Sequence, residues 1–445
     1  MSTKQLSEVR IGLEVHVQLT SLKTKLFCSC SSDYKGKDPN SLTCPVCLGL
    51  PGSLPVLNQK ALEYAVMAAL ALKCKISDCM FFFRKNYYYV HLEEDPGRLV
   101  HQGAIDTSPY TLVDYNRSGI TLLEVVTEPD LSSPKEARVF LQKLRSIFEH
   151  LGIFSGKLEG SMRCDANISL IGGTRVEVKN ISSFKEVERA LSFEIMRQKN
   201  LAKKDLAIMH ETRHWDETRR VTISLRLKEE EHDYRYFPEP DLVPIIIKED
   251  FIEKVKAKMP ELPESRIDRF VDVYNLPKYD AEVLVSEKEL ADFFEKSVKL
   301  YNYPKEISNW MICDLLRNLY ENNLELSESK ITPENLVEMI KLIKNGVISG
   351  KIGKKILPEI VLKGNIASQI IEEKGLVKIS SPKVLQDALD KVFDDNPKCV
   401  EDAINDENAV NFLVGQLMKA TKGKADPLIA NRLIHEKLES IRTKN

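Results

Sequence analysis

Apolar and polar positions alternate strictly along Ile11-Gly12-Leu13-Glu14-Val15-His16-Val17-Gln18-Leu19. Period two predicts a β-strand with Ile11, Leu13, Val15, Val17 and Leu19 on one face and Glu14, His16 and Gln18 on the other. A carboxylate and an imidazole two residues apart on a strand stand side by side. The pair suits a metal ion or a magnesium-bound phosphate, although a half-exposed edge strand would carry the same pattern. A second alternation, Arg163 to Leu170, is followed by Gly172-Gly173 and then Thr174 to Lys179. It predicts a hairpin whose polar face collects Arg163, Asp165, Asn167, Arg175, Glu177 and Lys179. That face is either solvated or a phosphate and metal site. Glu124 interrupts the apolar run Leu122 to Val126, so it is expected to be at least partly buried and to need a partner. The segment His91-Leu92-Glu93-Glu94-Asp95 packs three acids and a histidine before Pro96-Gly97, as an acidic loop or a ligand cluster.

The dominant period changes along the chain. Residues 1–248 carry strand signals punctuated by glycine and proline. From residue 249 onward the pattern is amphipathic helix, rich in lysine and glutamate. Pro238, Pro240 and Pro244 end regular structure at the boundary. A second break falls near 327–333, where Thr332-Pro333-Glu334 predicts a helix start with threonine as the N-cap. The expected domains are therefore 1–248, 249–326 and 327–445.

At 445 residues, 43% hydrophobic and 29% charged, the chain can support two or three domains with cores of their own. No apolar run reaches the roughly 18 residues of a membrane span, and Met1 to Gln5 lacks the apolar stretch of a secretory signal. A net charge of −2 leaves nucleic-acid contact to local patches. Lys351-Ile352-Gly353-Lys354-Lys355 and Lys419 to Lys424 are the candidates, as solvated helix ends or RNA phosphate contacts. Nine cysteines, an odd number, suit free thiols in a cytoplasmic protein better than a disulfide framework.

Four of those cysteines form two close pairs, Cys28-Ser29-Cys30 and Cys44-Pro45-Val46-Cys47. Two pairs of thiolates suit tetrahedral zinc, and a site closed by four cysteines is structural because no position stays open for substrate. Such a site would staple a loop that lacks a core. His210-Glu211-Thr212-Arg213-His214 spells the zinc-protease pattern, but its flanks are not those of the required helix and no third ligand follows. Gly152 to Leu158 resembles a phosphate loop with one residue too few between its glycines and leucine in place of serine or threonine.

Several motifs in order then point to one family. Ile11 to His16, Cys44 to Gly52, Arg84-Lys85-Asn86-Tyr87, Asp114-Tyr115-Asn116-Arg117, Arg163 to Asn167, Glu177 to Asn180, Asp233 to Asp241 and Gln416 to Lys424 together resemble the B subunit of the tRNA-dependent aspartyl/glutamyl amidotransferases. The resemblance runs nearly end to end. It implies an α+β fold: an N-terminal cradle domain built on an antiparallel sheet with a structural zinc loop, then an all-α helical domain and a helical tail. The cradle would bind ATP, magnesium and the acceptor end of a mischarged tRNA; the helical part would touch the tRNA body. The implied reaction phosphorylates the side-chain carboxylate of Glu-tRNA(Gln) or Asp-tRNA(Asn) with ATP and then displaces phosphate with ammonia. The ammonia would come from a partner amidase A subunit, with a small C subunit completing a cytoplasmic heterotrimer.

On the same resemblance Glu14, His16, Glu94, Glu124 and Asp165 match metal-binding, catalytic positions. Their oxygen ligands suit magnesium, and manganese would accept the imidazole more readily. Arg163, Arg175 and Lys179 are phosphate or carboxylate partners on the same face, and Cys28, Cys30, Cys44 and Cys47 match a structural zinc site. One departure is large. Members of the family carry a few dozen residues between the aromatic run and the His-x-Glu-Glu-Asp segment, whereas here Tyr87-Tyr88-Tyr89-Val90 passes directly into His91. Two alternatives stand beside this reading: the E subunit of the archaeal glutamine-specific enzyme, and a noncatalytic zinc-stabilised tRNA-binding protein. The first needs room for an inserted domain; the second sits poorly with four intact carboxylates.

Overall fold

The computed structural model describes residues 8–82, 90–101, 110–158, 160–227, 238–376, 382–403, 407–421, 425 and 427–442. The Arg84–Tyr87 motif, the Tyr87–Tyr89 side of the short junction, Asp233–Phe237 and Lys422–Lys424 lie outside these residues. The chain forms two compact units, Met1–Arg266 and Ile267–Asn445. The division falls inside the helix Pro263–Tyr274.

The first unit is built on a mixed seven-stranded sheet. Its strands are β1 (Val9–Gln18), β3 (Val90–Glu94), β6 (Thr121–Val126), β7 (Met162–Leu170), β8 (Val176–Ile181), β9 (Glu211–Asp216) and β10 (Val221–Leu227), in the order β10-β9-β8-β7-β1-β6-β3. Two small ribbons join β2 (Cys79–Met80) to β11 (Ile245–Ile246), and β4 (Arg98–His101) to β5 (Thr111–Asp114). The large sheet is antiparallel except for β8 and β9, which run parallel. Parallel neighbours need a long crossover. Here it contains the helix α3 (Phe184–Lys203), which packs back onto β7, β8 and β10.

One face of the sheet is apolar, as the alternation requires. Ile11, Leu13, Val15 and Val17 are completely buried. They pack with Leu123, Ala166, Ile168 and Val178, and with Leu141 and Phe148 of α2 (Pro134–Leu151). Ser133 and Ser183 cap α2 and α3 by accepting from the backbone N–H of Glu136 and Glu186. Gly152 ends α2 with φ 71°, so the Gly152–Leu158 segment closes a helix instead of opening one onto a phosphate. The helices α1 (Gln59–Ala71) and α4 (Glu249–Lys256) complete this unit, and Val255 of α4 belongs to its core. His210 to His214 runs into strand β9, where the two histidines cannot share the helical face of a zinc protease.

The described part of the second unit is helical, apart from its connections. One core gathers Phe270, Phe294, Met311, Ile340 and Ile356; another gathers Leu385, Leu389, Leu413, Leu417 and Ile434. Thr332 caps the helix Pro333–Lys344 by accepting from the Asn335 N–H, as its sequence predicts. No helix among the described residues is long and apolar enough to cross a membrane.

Candidate active site

The opposite face of the seven-stranded sheet is a continuous polar strip. Strand register creates it: His91 pairs across to Glu124, Glu124 to His16 and His16 to Arg163. One pleat along, Glu14 stands opposite Asp165, and Asn167 opposite Glu177. Three sequence features that lie far apart in the chain, the first strand, the buried carboxylate and the glycine-turned hairpin, thereby share one surface.

Two groups on this strip have metal-ligating geometry. In the first, single ligand atoms of His16, Glu93 and Glu124 lie within 4.8 Å of one another; in the second, those of Glu14, Asp165 and Glu177 do. His16 Nδ1 is 3.1 Å from Glu93 Oε2, and its Nε2 is 3.8 Å from Glu124 Oε1. His91 Nε2 is 2.7 Å from Glu124 Oε2 and 3.5 Å from Glu93 Oε1. Burial alone would lower His91, but its contacts with Glu124 and Glu93 outweigh this and hold it up at about 9. Burial would raise Glu93, yet hydrogen bonds with His16 and His91 pull it well below the usual carboxylate range.

The second group is short of positive charge. Lys179 Nζ lies 2.9 Å from Asp165 Oδ2 and 3.3 Å from Glu177 Oε1, while Thr212 donates to Glu177 at 2.8 Å. Asn167 donates to Glu14 at 2.8 Å. Burial nonetheless pushes the Glu14 carboxyl up, with the Glu177 and Glu124 carboxylates adding to the shift. Glu124 is 1% exposed, and its carboxylate meets only the imidazoles of His91 and His16 among the described ion pairs. Carboxylates this close and this poorly neutralised suit a hard divalent cation.

The structure brings Glu14, His16, Glu124, Asp165, Arg163 and Lys179 of the expected residues onto the strip. Glu94 is exposed at the end of β3 and belongs to neither group; its neighbour Glu93 does. Leu92 is buried in the core, so strand alternation sends His91 and Glu93 to the polar face and Glu94 away from it. That signal was present in the sequence. Arg175 precedes β8 in the turn and is exposed.

The four cysteines also converge. Their sulfurs all lie within 4.8 Å of one another, with Cys47 Sγ 3.8 Å from Cys44 and 4.0 Å from Cys30. Zinc–thiolate bonds at tetrahedral angles place sulfurs about 3.8 Å apart, so the residues fit that ion. Burial, and then the neighbouring sulfurs, push the Cys28 thiol up to about 11, a crowding that a cation relieves. No residue from Phe27 to Lys60 is fully buried, so this loop has no core to hold it.

Comparison with known proteins gives the same assignment. Residues 9–91 and 90–253 match the family described as "GatB/GatE catalytic domain", and residues 292–438 match "GatB domain". Similar proteins are named as B subunits of the aspartyl/glutamyl-tRNA(Asn/Gln) amidotransferase. The relative from Sulfurisphaera tokodaii is 49% identical over 465 positions, covering 96% of this chain and 98% of the relative. The relative from Thermotoga petrophila is 47% identical, covering 96% and 98%, and that from Carboxydothermus hydrogenoformans 46%, covering 98% and 99%. The chain belongs to the family of amidotransferase B subunits.

The match to 98–99% of the length of these B subunits favours that reading over an E subunit. The 465-position alignment is longer than the 445-residue chain, so the Sulfurisphaera relative contains residues this chain lacks. The two catalytic-domain matches meet at residues 90–91, the position of the short junction read from the sequence.

Proposed function

We propose that this chain is the subunit that activates and amidates the amino acid carried by a mischarged tRNA, with ATP as phosphoryl donor. The observation that supports this most is the polar strip itself, where two groups of residues with metal-ligating geometry share one sheet face with Arg163 and Lys179. Phosphorylating a carboxylate with ATP needs charge neutralisation and alignment more than covalent help. Magnesium held by Glu14, His16, Glu93, Glu124 and Asp165 would supply that neutralisation, with Glu177 beside them. Arg163 and Lys179 would take phosphate oxygens. Cys28, Cys30, Cys44 and Cys47 would hold a structural zinc.

In the first step a side-chain carboxylate oxygen of Glu-tRNA(Gln) or Asp-tRNA(Asn) attacks the γ-phosphorus, and the bond to ADP breaks. In the second, ammonia nitrogen attacks the activated carbonyl carbon; phosphate leaves with the bonding electron pair, and a proton leaves the nitrogen. The product is Gln-tRNA or Asn-tRNA. Ammonia would come from a partner amidase subunit, with a small third subunit in the complex. The names of the relatives favour this over a noncatalytic tRNA-binding role, as do the intact carboxylates.

The test is conversion of the tRNA-attached acid by the chain with its partner subunits, supplied with ammonium chloride instead of glutamine. Free ammonia bypasses the partner's glutaminase. Conversion that requires ATP is the expected result, and its amino acid reveals the substrate. Tight tRNA binding without conversion would favour the noncatalytic reading and place the loss at the shortened Tyr89–His91 junction.

A further inference from the structure

The turn Asp114–Gly119 fastens the four-cysteine loop to the edge of the polar strip. On the loop side, Asn116 is 1% exposed; it accepts from the Leu42 N–H at 2.7 Å and donates to the Asp38 carbonyl at 2.7 Å. Ser118 donates to the Cys47 carbonyl at 3.1 Å. Lys25, completely buried, crosses the same seam by donating to the carbonyls of Leu42 at 2.9 Å and Tyr115 at 3.2 Å. Gly119 closes the turn at φ 81°, where a Cβ would sit 3.5 Å from the Lys25 side chain.

On the sheet side, Arg117 Nε donates to Asp95 Oδ2 at 2.5 Å, and Arg163 reaches the same oxygen at 3.5 Å. Asp95 is 3% exposed, and its backbone is bonded to this turn on both sides, to Ile120 at 2.8 Å and from Gly119 at 3.0 Å. One acid therefore serves two guanidinium groups. Each guanidinium has five N–H donors, so most remain after Asp95 has taken its share. The net positive charge stands beside an otherwise acidic strip, at the register position opposite His16. A tetrahedral polyanion with a divalent cation on its far side needs this arrangement.

We propose that Arg117 and Arg163 form a paired cation for the ATP phosphates, with Asp95 as the residue that positions both, and that the four-cysteine loop sets the place of Arg117 through Asn116. The inference rests on the reading that this face takes ATP. It makes the cysteine loop more than a staple, because order in the loop becomes order in the phosphate site.

The experiment uses the full chain with its partner subunits and measures KM for ATP, KM for charged tRNA, kcat and bound zinc. Arg117→Ala raises KM for ATP about tenfold, more than it lowers kcat, and Arg117→Lys recovers part of the loss. Asp95→Asn moves KM in the same direction. Asn116→Ala, which lies on the loop side, raises it by a smaller factor while zinc content and KM for tRNA stay at wild-type values. A purely structural role would instead lower kcat through the amount of folded enzyme. Unchanged KM for ATP in folded Arg117→Ala overturns the proposal, and that variant decides alone if Asp95→Asn fails to fold. If the wild type shows no ATP binding at all, the underlying reading falls and this inference with it.

Discussion

Glu124→Gln lowers ATP-dependent amide formation by about a thousandfold, while the protein stays folded and still binds tRNA. Glutamine keeps the size of the side chain, so the apolar neighbours Leu123 and Val125 stay packed. What disappears is the charge. Glu124 is 1% exposed and touches both His16 and His91, which leaves it, among the carboxylates of the two groups on the strip, the least access to water as an alternative partner. Interactions made in a water-poor site are stronger than those at the surface. A divalent cation bound at His16, Glu93 and Glu124 would lose its most enclosed ligand. The same logic separates two neighbours on β3. Glu93→Gln costs far more activity than Glu94→Gln, because alternation puts only Glu93 on the strip. Activity of Glu124→Gln within about threefold of wild type, at saturating ATP and tRNA, would refute the role given to this face.

The joint substitution Cys44→Ser and Cys47→Ser is expected to abolish binding of the zinc proposed for the four-cysteine site and to let the loop open. Structural zinc contributes free energy on the order of 10 kcal/mol to small sites, and residues 27 to 60 bury no side chain fully that could compensate. The effect is local. Backbone amides between Cys28 and Val56 lose protection from hydrogen exchange, while those of α2 and α3 stay protected because Leu141, Phe148 and Leu191 remain buried in the sheet core. The Asp114–Gly119 turn loosens with the loop. Metal analysis showing full zinc content, or unchanged exchange across the loop, would contradict the assignment.

Much of the site could be read before the fold was known, because strand periodicity acts at short range. The alternation in β1 places Glu14 and His16 together, and Glu124 stands out as a charge in an apolar run. The hairpin face around Asp165 and Lys179 followed from period two and a glycine turn. Other features depend on contacts that no local pattern encodes. The parallel pairing of β8 with β9 arises from how α3 crosses the sheet. Lys25 sits in Thr24-Lys25-Leu26, which reads as an ordinary exposed lysine, yet the loop folds over it and its ammonium meets two carbonyls. Arg175 keeps the right parity for the polar face but falls in the turn before β8 begins. Family resemblance points to Glu94, whereas the buried Leu92 sets the parity that puts Glu93 on the polar face. Asp95 and Arg117 come together only when β3 and the turn before β6 are paired.

The most direct test of the central claim separates activation from amide transfer. The full chain with its partner subunits is given labelled ATP, magnesium and Glu-tRNA(Gln) or Asp-tRNA(Asn), with no glutamine or ammonium, and ADP release is followed. The polar strip as an activating site predicts ADP release that needs both magnesium and the charged tRNA. It further predicts that added hydroxylamine is captured as the hydroxamate of the attached amino acid. ADP release that is indifferent to the charged tRNA, or amide formation that proceeds without ATP, would contradict it.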